Sequence, residues 1–287
     1  MFRREGSDMR MDPNPLFWKD RRVLLTGHSG FKGTWLATWL HIMGAQVLGY
    51  SLPPEGEAYR LFLASGLEGR IQSHYGDILD YAGLERLARD FQPELVMHLA
   101  AQSLVRKSYA EPVSTYAVNV MGTVHVLELA RQVESIRAVL VVTTDKCYEN
   151  QEWLWPYREN DRLGGHDPYS NSKACAELVT DSYRRSFLQT QGKWVATARA
   201  GNVIGGGDLA QDRLVPDAIR AFSQGQALEV RAPDATRPWQ HVLDPLCGYL
   251  LLAERLLAGQ AQFAEAFNFG PLDEHRVGEV VEQLVQG

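Results

Sequence analysis

Short apolar runs alternate with longer amphipathic stretches through the first two hundred residues of the chain. Strands are predicted where the runs are short and rich in Val, Leu and Ile, and helices where apolar residues recur every three or four positions. The alternation predicts an α/β fold, a Rossmann-type doubly wound parallel sheet. The predicted strands are 22–26, 46–51, 70–75, 94–99, 138–143 and 194–199, and the predicted helices are 32–43, 81–90, 113–133 and 169–189.

The alternation of short apolar runs and amphipathic stretches becomes irregular after residue 200. A glycine-rich stretch is followed by predicted helices at 214–223, 244–257 and from 277 onward, with a short predicted strand at 228–230. We interpret 15–200 as a cofactor-binding Rossmann domain and 201–287 as a smaller substrate-binding part, interleaved with the sheet and expected to continue beyond the last residue. Residues 1–14 are polar, lack the apolar core of a signal peptide, and are expected to be a disordered lead.

Composition and charge limit the classes of partner that the chain is expected to bind. The net charge is −6, which argues against a chain that neutralises many nucleic-acid phosphates. Three cysteines, Cys147, Cys175 and Cys247, are far apart and have no metal-ligand spacing, so we expect no metal and no disulfide framework. No apolar run is long enough to span a bilayer, so no membrane partner is expected. These features together favour the reducing cytoplasm.

A glycine turn follows the first predicted strand and opens the first long predicted helix. Gly27, Gly30 and Gly33 form the pattern G-x-x-G-x-x-G. Glycine lets the backbone turn sharply and approach a pyrophosphate, and a helix N-terminus offers free N–H groups to the anion. The alternative is an ordinary strand-to-helix turn, but the position after the first strand favours a dinucleotide. The candidate cofactor-binding residues here are Gly27, His28, Gly30, Phe31, Lys32 and Gly33.

The choice between NAD and NADP stays open at this stage. The second predicted strand ends in Tyr50-Ser51, without the carboxylate that normally holds the adenosine ribose of NAD. His28 and Lys32 are expected to place positive charge in the turn. Further cofactor candidates follow the third and fourth strands: Asp77, which would reach the adenine edge or serve as a turn aspartate, Ile78, Leu99, Ala100 and Ala101. Asn119 is interpreted as structural.

Tyr169 and Lys173 lie four residues apart at the start of a predicted helix and therefore share one face. An ammonium near a phenol favours the tyrosinate, so we expect the pKa of Tyr169 to lie below its usual value of about 10. Such a tyrosine suits a base that accepts a hydroxyl proton near neutral pH. Lys173 is also placed to hold the nicotinamide ribose. The alternative is an exposed pair with no role.

Thr144, Asp145 and Lys146 follow the fifth predicted strand, and ligands bind at the carboxyl ends of such strands. Thr144 can hydrogen-bond a substrate hydroxyl. Asp145 is a general acid if its site raises its pKa, and Lys146 is a base if its pKa is depressed, or a cation that stabilises an enolate. The alternative is a polar turn. With Tyr169, the set suggests an enzyme that oxidises a sugar, eliminates water and reduces the product with the same hydride.

These residues resemble the extended short-chain dehydrogenase/reductase family and, within it, the CDP-glucose 4,6-dehydratases. The segments that carry the resemblance are 27–33, 144–150, 169–173, 201–208, 212–217 and 237–242. The glycine turn and the Tyr/Lys pair are shared across the superfamily. Lys146 is more specific, because dTDP-glucose dehydratases resemble Thr-Asp-Glu at that place, and it favours the CDP-sugar branch.

The resemblance implies NAD as cofactor and CDP-glucose as substrate, with CDP-4-keto-6-deoxyglucose and water as products for deoxysugar and lipopolysaccharide biosynthesis. It implies that Tyr169, assisted by Thr144, takes the C4 hydroxyl proton. Lys146 helps to remove the C5 proton, and Asp145 protonates the leaving C6 hydroxyl. It also implies a homodimer. The implied substrate-binding residues are Gln102, Ser103, Asn202, Arg213, Leu214 and Arg237, of which Asn202 and the two arginines would hold the diphosphate.

Two other functions remain open at this point. A nucleotide-sugar 4-epimerase or reductase of the same fold would use Tyr169, Lys173 and Thr144 but would not need Asp145 or Lys146. A non-catalytic NAD-sensing protein would need the glycine turn but none of the proton-transfer groups. Loss of water from a substrate distinguishes the first alternative, and turnover distinguishes the second.

Overall fold

The computed structural model describes residues 12–230, 232–271 and 273–286. Most of the predicted disordered lead, residues 1–11, lies outside the described residues. The strands are β1 Arg22–Thr26, β2 Gln46–Ser51, β3 Gln72–Tyr75, β4 Leu95–His98, β5 Ala138–Thr144, β6 Trp194–Ala200, β7 Val203–Ile204, β8 Thr236–Arg237, β9 Gln240–His241, β10 Ala266–Phe269 and β11 His275–Arg276.

Seven strands form one parallel sheet in the order β10-β6-β5-β4-β1-β2-β3. β7 pairs with β9, and β8 pairs with β11, in two small separate sheets. The strand order reverses direction between β1 and β4, which is the switch point where ligands bind in such sheets. The predicted doubly wound parallel sheet is therefore confirmed.

Helices cover both faces of the sheet. Their bounds are α1 Pro15–Trp18, α2 Phe31–Ile42, α3 Glu57–Ser65, α4 Tyr81–Phe91, α5 Val105–Ala110, α6 Pro112–Tyr116, α7 Gly122–Gln132, α8 Pro168–Tyr183, α9 Leu214–Ser223, α10 Leu243–Leu257 and α11 Val277–Gln286.

The predicted helices agree with these bounds except at two places. The single helix predicted over 113–133 is divided into α6 and α7 by a π-helical turn at Ala117–Met121, and α8 ends in a second π turn at Arg184–Leu188. The predicted strand at 228–230 is wrong. Its residues alternate in burial, but they pair with no strand among the described residues.

The core has two layers separated by the sheet. One face packs Leu25, Leu36 and Leu40 against α10, and the other packs Leu24 and Val96 against α4 and α7. All seven residues of β5 are buried, as the apolar run predicted. The two layers hold the carboxyl end of β5 rigidly at the centre of one sheet edge.

The part of the chain after residue 200 returns to the main sheet. β10 pairs with β6, Ala266 opposite Thr197 and Phe269 opposite Ala200, and α10 packs against β5 and β6. β10 was not predicted, because its four half-buried residues give only a short apolar signal. The return of the chain places α10 directly beneath the carboxyl ends of β5 and β6.

Within the described ranges, no helix is long and apolar enough to cross a membrane. The same residues contain no group of three or more His, Cys, Asp or Glu side chains that could hold a metal ion.

Candidate active site

The turn between β1 and α2 forms a cradle that only glycine can build. Gly27 has a φ of +74°, and a Cβ there would lie 2.7 Å from the backbone nitrogen of Ala100. A Cβ on Gly33 would lie 2.0 Å from the carbonyl oxygen of Gly27. Gly30 caps α2 without a side-chain hydrogen bond, so the first N–H groups of the helix face outward. This geometry fits the pyrophosphate of a dinucleotide.

The residues that follow β4 lie against this glycine turn. Leu99 N donates to Thr26 O at 3.1 Å, and Ala100 N donates to Thr26 Oγ1 at 3.2 Å. Ala101 continues the small-residue edge and is half-buried. The prediction that the small side chains at this edge let a cofactor lie close to the sheet stays a prediction.

The ends of β2 and β3 form the neighbouring wall without a carboxylate on β2. Ser29 Oγ and Ser51 Oγ lie 2.8 Å apart, so two hydroxyls occupy the place where an acid usually holds a ribose. Tyr50 donates its hydroxyl to Asp77 O at 3.0 Å. The Asp77 carboxylate accepts from Leu79 N at 2.9 Å, so it caps a turn, and Ile78 beside it is buried.

His28 does not carry positive charge in the turn, contrary to the sequence prediction. The side chain is fully buried, stacked with Tyr75 and edge-on to Phe62, with ring centroids 6.1 and 5.4 Å away. Burial lowers the pKa of His28 to about 4, so the imidazole is neutral near neutral pH. The His28 ring packs as a neutral aromatic group beneath the glycine turn.

A cavity of about 250 Å³ opens at the carboxyl ends of β5 and β6, beside the start of α2. It brings together predicted residues from six separated segments of the chain, together with Asp208, Asp212 and Trp239, which were not predicted as site residues. The predicted residues that line it are Phe31, Lys32, Ser103, Thr144, Asp145, Lys146, Tyr169, Asn202, Arg213 and Leu214.

Tyr169, Thr144 and Asp145 lie together in the lining of this cavity. Asp167 caps α8 by accepting from Ser170 N at 3.0 Å, and this cap sets Tyr169 in the first turn of the helix. Thr144 Oγ1 donates to Asp145 Oδ1 at 3.0 Å, and the Thr144 side chain favours the ionised form of the Tyr169 hydroxyl. The arrangement can relay a proton between a bound hydroxyl group and the protein.

The prediction that Lys173 lowers the pKa of Tyr169 is wrong in this structure. Burial raises the pKa of Tyr169 to about 12, and the bond to Thr144 offsets only part of that effect. The Lys173 ammonium donates to Val142 O at 3.2 Å, which directs it at the strand. Burial, with the charge of Lys32, lowers the pKa of Lys173 to about 8.

Asp145 has the property that the sequence required of a general acid. Burial raises the pKa of its carboxyl group, against the hydrogen bond from Thr144 and the positive charges of Lys146 and Arg237. Asp145 Oδ2 lies against the backbone of Gly201, where an added Cβ would come within 3.2 Å of it. Lys146 is exposed at the cavity mouth.

Charged side chains of both signs form the cavity wall opposite Tyr169. Arg213 Nη1 pairs with Asp208 Oδ2 at 2.8 Å, and Arg213 Nη2 donates to Ser103 Oγ at 3.4 Å. Burial and the charge of Arg213 lower the pKa of Lys32 to about 8, while Asp145 and Asp208 oppose that shift. Asp208 ends the Gly-Gly-Gly-Asp run, and this motif was the available signal for it.

Gln102 and Asn119 affect the site indirectly, through hydrogen bonds to other residues. The Gln102 side chain accepts from Leu104 N at 2.7 Å and donates to Thr115 Oγ1 at 3.0 Å. The oxygen and the nitrogen of its amide are therefore both hydrogen-bonded to neighbouring protein groups. Asn119, in the π turn, accepts from Gln102 N at 2.9 Å and donates to Ser172 Oγ at 2.8 Å. Asn119 therefore joins that loop to α8, consistent with its interpretation as structural.

Arg237 lies apart from the cavity lining. It is exposed on β8 and donates to Thr236 O at 2.7 Å. Its charge still acts on Asp145. Cys147, beside the acid–base run, is fully buried among Tyr148 and Ala174, as expected for a small filler.

A buried ion pair anchors α8 behind the cavity. Glu177 accepts hydrogen bonds from Arg199 Nη2 at 2.8 Å, from Thr197 Oγ1 at 2.7 Å and from Thr143 Oγ1. Glu177 lies one helical turn beyond Lys173, and its partners lie on β5 and β6. The pair therefore ties the helix that carries Tyr169 to the strands that carry the acid–base residues.

The doubly wound sheet, the glycine cradle and the Tyr169–Lys173 helix define a nicotinamide-dependent protein of the short-chain dehydrogenase/reductase type. The hydrogen-bonded acid beside Tyr169 adds a group suited to elimination. The sequence model of the GDP-mannose 4,6 dehydratase family matches residues 24–286, and the chain belongs to this family.

Known proteins with these features include dehydratases and an epimerase. The chain is 52% identical to a CDP-glucose 4,6-dehydratase of Salmonella typhimurium, over 94% of this chain and 77% of that protein. Its fold is similar to a dTDP-glucose 4,6-dehydratase of Streptomyces venezuelae solved with NAD bound, with a TM-score of 0.79 at 26% identity, covering 92% and 80% of the two chains. A UDP-glucose 4-epimerase of Thermotoga maritima shares the fold, with a TM-score of 0.80 at 22% identity over 92% and 82%.

Proposed function

We propose that this protein is a nucleotide-sugar 4,6-dehydratase that uses bound NAD to convert CDP-D-glucose to CDP-4-keto-6-deoxy-D-glucose and water. The observation that carries the proposal is the placement of Asp145, with its raised pKa, in one cavity with Thr144 and Tyr169. An epimerase or a reductase needs the tyrosine and threonine, whereas loss of water also needs an acid. The 52% identity to a CDP-glucose 4,6-dehydratase supports the choice of substrate.

The cradle residues would hold NAD, which when bound accepts a hydride from the sugar and returns it to the dehydrated product. The backbone of Gly27, Gly30 and Gly33 and the start of α2 would bind the pyrophosphate. Lys173 would hold the nicotinamide ribose. The wall formed by Phe31, Asp77, Ile78, Leu99, Ala100 and Ala101 would enclose the rest of the dinucleotide.

Three side chains would move the protons. Tyr169, in its tyrosinate form, takes the proton of the C4 hydroxyl with the assistance of Thr144, and the ketone that forms at C4 acidifies the C5 proton. Lys146, exposed at the cavity mouth, assists the removal of that proton. Asp145 donates its proton to the departing C6 hydroxyl, since burial keeps the carboxyl group protonated to a higher pH than usual.

The charged wall would bind the nucleotide diphosphate. Arg213 would offer its planar guanidinium to phosphate oxygens, exchanging its bond to Asp208 for them. Asn202, Ser103 and Leu214 line the same cavity, and Arg237 lies outside the lining on β8. The proposal divides the chain into 15–200 for NAD and 201–287 for the nucleotide sugar, with Gln102 ordering the loop that follows β4.

The proposal includes a homodimer in the cytoplasm that serves deoxysugar and lipopolysaccharide biosynthesis. Adjacent helices on one flank expose apolar side chains: Val113 on α6, Met121 in the π turn and Leu178 on α8 are 83%, 46% and 60% exposed. A second copy would cover such a surface. All three cysteines are free, consistent with a reducing compartment. Light scattering of the protein and of Leu178→Asp tests the dimer.

The test of function is mass spectrometry of CDP-glucose incubated with the protein and NAD, beside dTDP-, UDP- and GDP-glucose. The expected product is lighter by one water and forms from the CDP sugar. Asp145→Asn should abolish this product while NAD binding, followed by calorimetry, is retained. A product of unchanged mass but altered stereochemistry would indicate a 4-epimerase. NAD binding with no change in any sugar would contradict the proposed reaction and favour the sensor.

A further inference from the structure

The glycine run, residues 205–207, lies in close contact with α2 and α3. A Cβ on Gly205 would lie 3.3 Å from Phe31 Cζ, at the start of α2. Gly207 has a φ of +82°, and a Cβ there would lie 2.4 Å from Leu61 Cδ1, on α3. Glycine is needed at both positions because the backbone approaches its neighbours so closely. The glycine run is therefore a packed segment of the protein.

Trp35 holds the middle of the glycine run. Its indole Nε1 donates to Gly206 O at 2.9 Å, and a Cβ on Gly206 would lie 3.9 Å from Cζ2 of the same ring. The indole also meets the His241 ring edge-on, with centroids 6.4 Å apart. Trp35 lies one turn after Phe31 on α2, so the two aromatic side chains share a helix face. The glycine run is thereby joined to the helix whose N-terminus forms part of the cradle.

The end of the glycine run determines where charged groups lie in the cavity wall. Asp208 N donates to Gly205 O at 3.4 Å, so Asp208 completes a turn that the run begins. The Asp208 side chain is 6% exposed, and its Oδ2 pairs with Arg213 Nη1 at 2.8 Å. Its Oδ1 accepts from Ala210 N at 3.3 Å. A shift of the run would therefore move the guanidinium that the proposed function assigns to the diphosphate.

We propose that Trp35 is a positioning residue for the nucleotide diphosphate, acting through the Gly206 carbonyl to fix the Asp208–Arg213 pair in the cavity. The inference rests on the proposed function and adds to it a residue outside the cavity lining. A guanidinium that is held in place before the ligand arrives binds more tightly, because less side-chain and loop entropy is lost on binding. The indole N–H thus contributes to nucleotide affinity and takes no part in the proton transfers.

The alternative is that Trp35 serves packing alone, since its ring also lies against the core. Trp35→Phe separates the two roles, because phenylalanine keeps an aromatic ring at that position and removes the N–H donor. Trp39→Phe is the matched control. Trp39 lies one turn further along α2, packs against the same core cluster and does not line the cavity. An effect that the two variants share would report on the packing of the helix.

Hydrogen exchange of the ligand-free chain, followed by mass spectrometry, measures whether Trp35 holds the glycine run. Amides of residues 203–210 should exchange about threefold faster in Trp35→Phe than in the wild type, because one hydrogen bond that opposes local opening is lost. Trp39→Phe should leave the exchange of this segment at the wild-type rate. Equal exchange in the two variants, or exchange that is faster throughout α2 as well, would overturn the inference.

Calorimetry of CDP binding to the NAD-saturated chain measures the consequence for the ligand. The Kd of CDP should rise about three- to tenfold in Trp35→Phe, the usual effect of one hydrogen bond, while the Kd of NAD is unchanged. In turnover, KM for CDP-glucose should rise by the same factor at constant kcat, since the diphosphate is bound equally in the ground and transition states. Wild-type affinity for CDP, or a loss confined to kcat, would assign Trp35 to packing.

The inference and the proposed reaction fail in different ways. A wild-type chain that binds CDP but forms no dehydrated product would refute the reaction alone, and the CDP affinity of Trp35→Phe would still decide the role of Trp35. A wild-type chain that binds no CDP would refute both, because the inference assigns Trp35 to that ligand.

Discussion

Removal of the carboxylate of Glu177 tests how the acid–base residues are held in place. The ion pair between Glu177 and Arg199 is buried, with the two side chains 3% and 4% exposed and 2.8 Å apart. Glu177→Leu would leave the guanidinium of Arg199 charged and buried, since arginine keeps its proton in proteins. The side chain would retain its bonds to Tyr148 Oη, at 2.7 Å, and to Glu159 O, at 2.9 Å, but no counter-charge.

The expected loss in the free energy of unfolding is about 3–5 kcal/mol, which is typical when one partner of a buried pair is removed. A chain of 287 residues loses roughly 2–3 °C of melting temperature per kcal/mol, so a decrease of about 10 °C is expected. Glu85→Leu is the control, because the Glu85–Arg89 pair has a similar separation of 2.7 Å but is open to solvent, with the Arg89 and Glu85 side chains 52% and 26% exposed. That substitution should change stability by less than about 1 kcal/mol.

The assay is thermal and urea unfolding followed by circular dichroism, with turnover measured at a temperature where each variant is folded. Glu177→Leu combined with Arg199→Met should recover most of the lost stability, because an apolar pair leaves no buried charge. Turnover should stay low in the double variant, since the tie between α8 and the strands is lost. The reasoning would be refuted if Glu177→Leu and Glu85→Leu destabilised the protein equally.

Three further predictions follow from the cavity and its cradle. Asp145→Asn should lower kcat at least about 100-fold, the usual contribution of a general acid, with unchanged NAD affinity by calorimetry; near-normal turnover would remove Asp145 from the mechanism. Gly33→Ala places a Cβ 2.0 Å from Gly27 O and should abolish NAD binding, whereas unchanged affinity would show that the cradle does not hold the dinucleotide. Burial lowers the pKa of Lys173 from 10.5 to about 8, so the folded state disfavours its charge and stability rises with pH across that interval. Lys173→Met should therefore melt above wild type most clearly below pH 8, with the difference closing by about pH 10.5; a constant difference would contradict this assignment.

The sequence predicted most of the fold because its signals are local. For β1 to β6, the predicted and observed bounds differ by at most two residues at either end. The glycine turn lies between β1 and α2, as the pattern predicted. β10 and the division of α6 from α7 were missed for physical reasons. A four-residue edge strand carries little periodicity, and the π turn around Asn119 depends on bonds to Gln102 and Ser172 that are distant along the chain.

The sequence also identified the groups that meet in the cavity, but it did not predict their protonation. Tyr169 and Lys173 do share a helix face, yet the ammonium donates to Val142 O and the phenol has a raised pKa. His28 loses its charge because Phe62 and Tyr75 enclose it. In each example the deciding contact comes from an element that no local motif contains.

Protonation in this cavity is therefore a property of packing between the two parts of the chain. β5 and α8 supply Asp145 and Tyr169, but α10 closes the region beneath them and excludes water there. Exclusion of water raises the pKa of both Asp145 and Tyr169. The shift suits Asp145 as a general acid and opposes Tyr169 as a base. A dehydratase needs both roles within one cavity, so the burial that serves Asp145 has to be offset at Tyr169 before the phenol can act as a base.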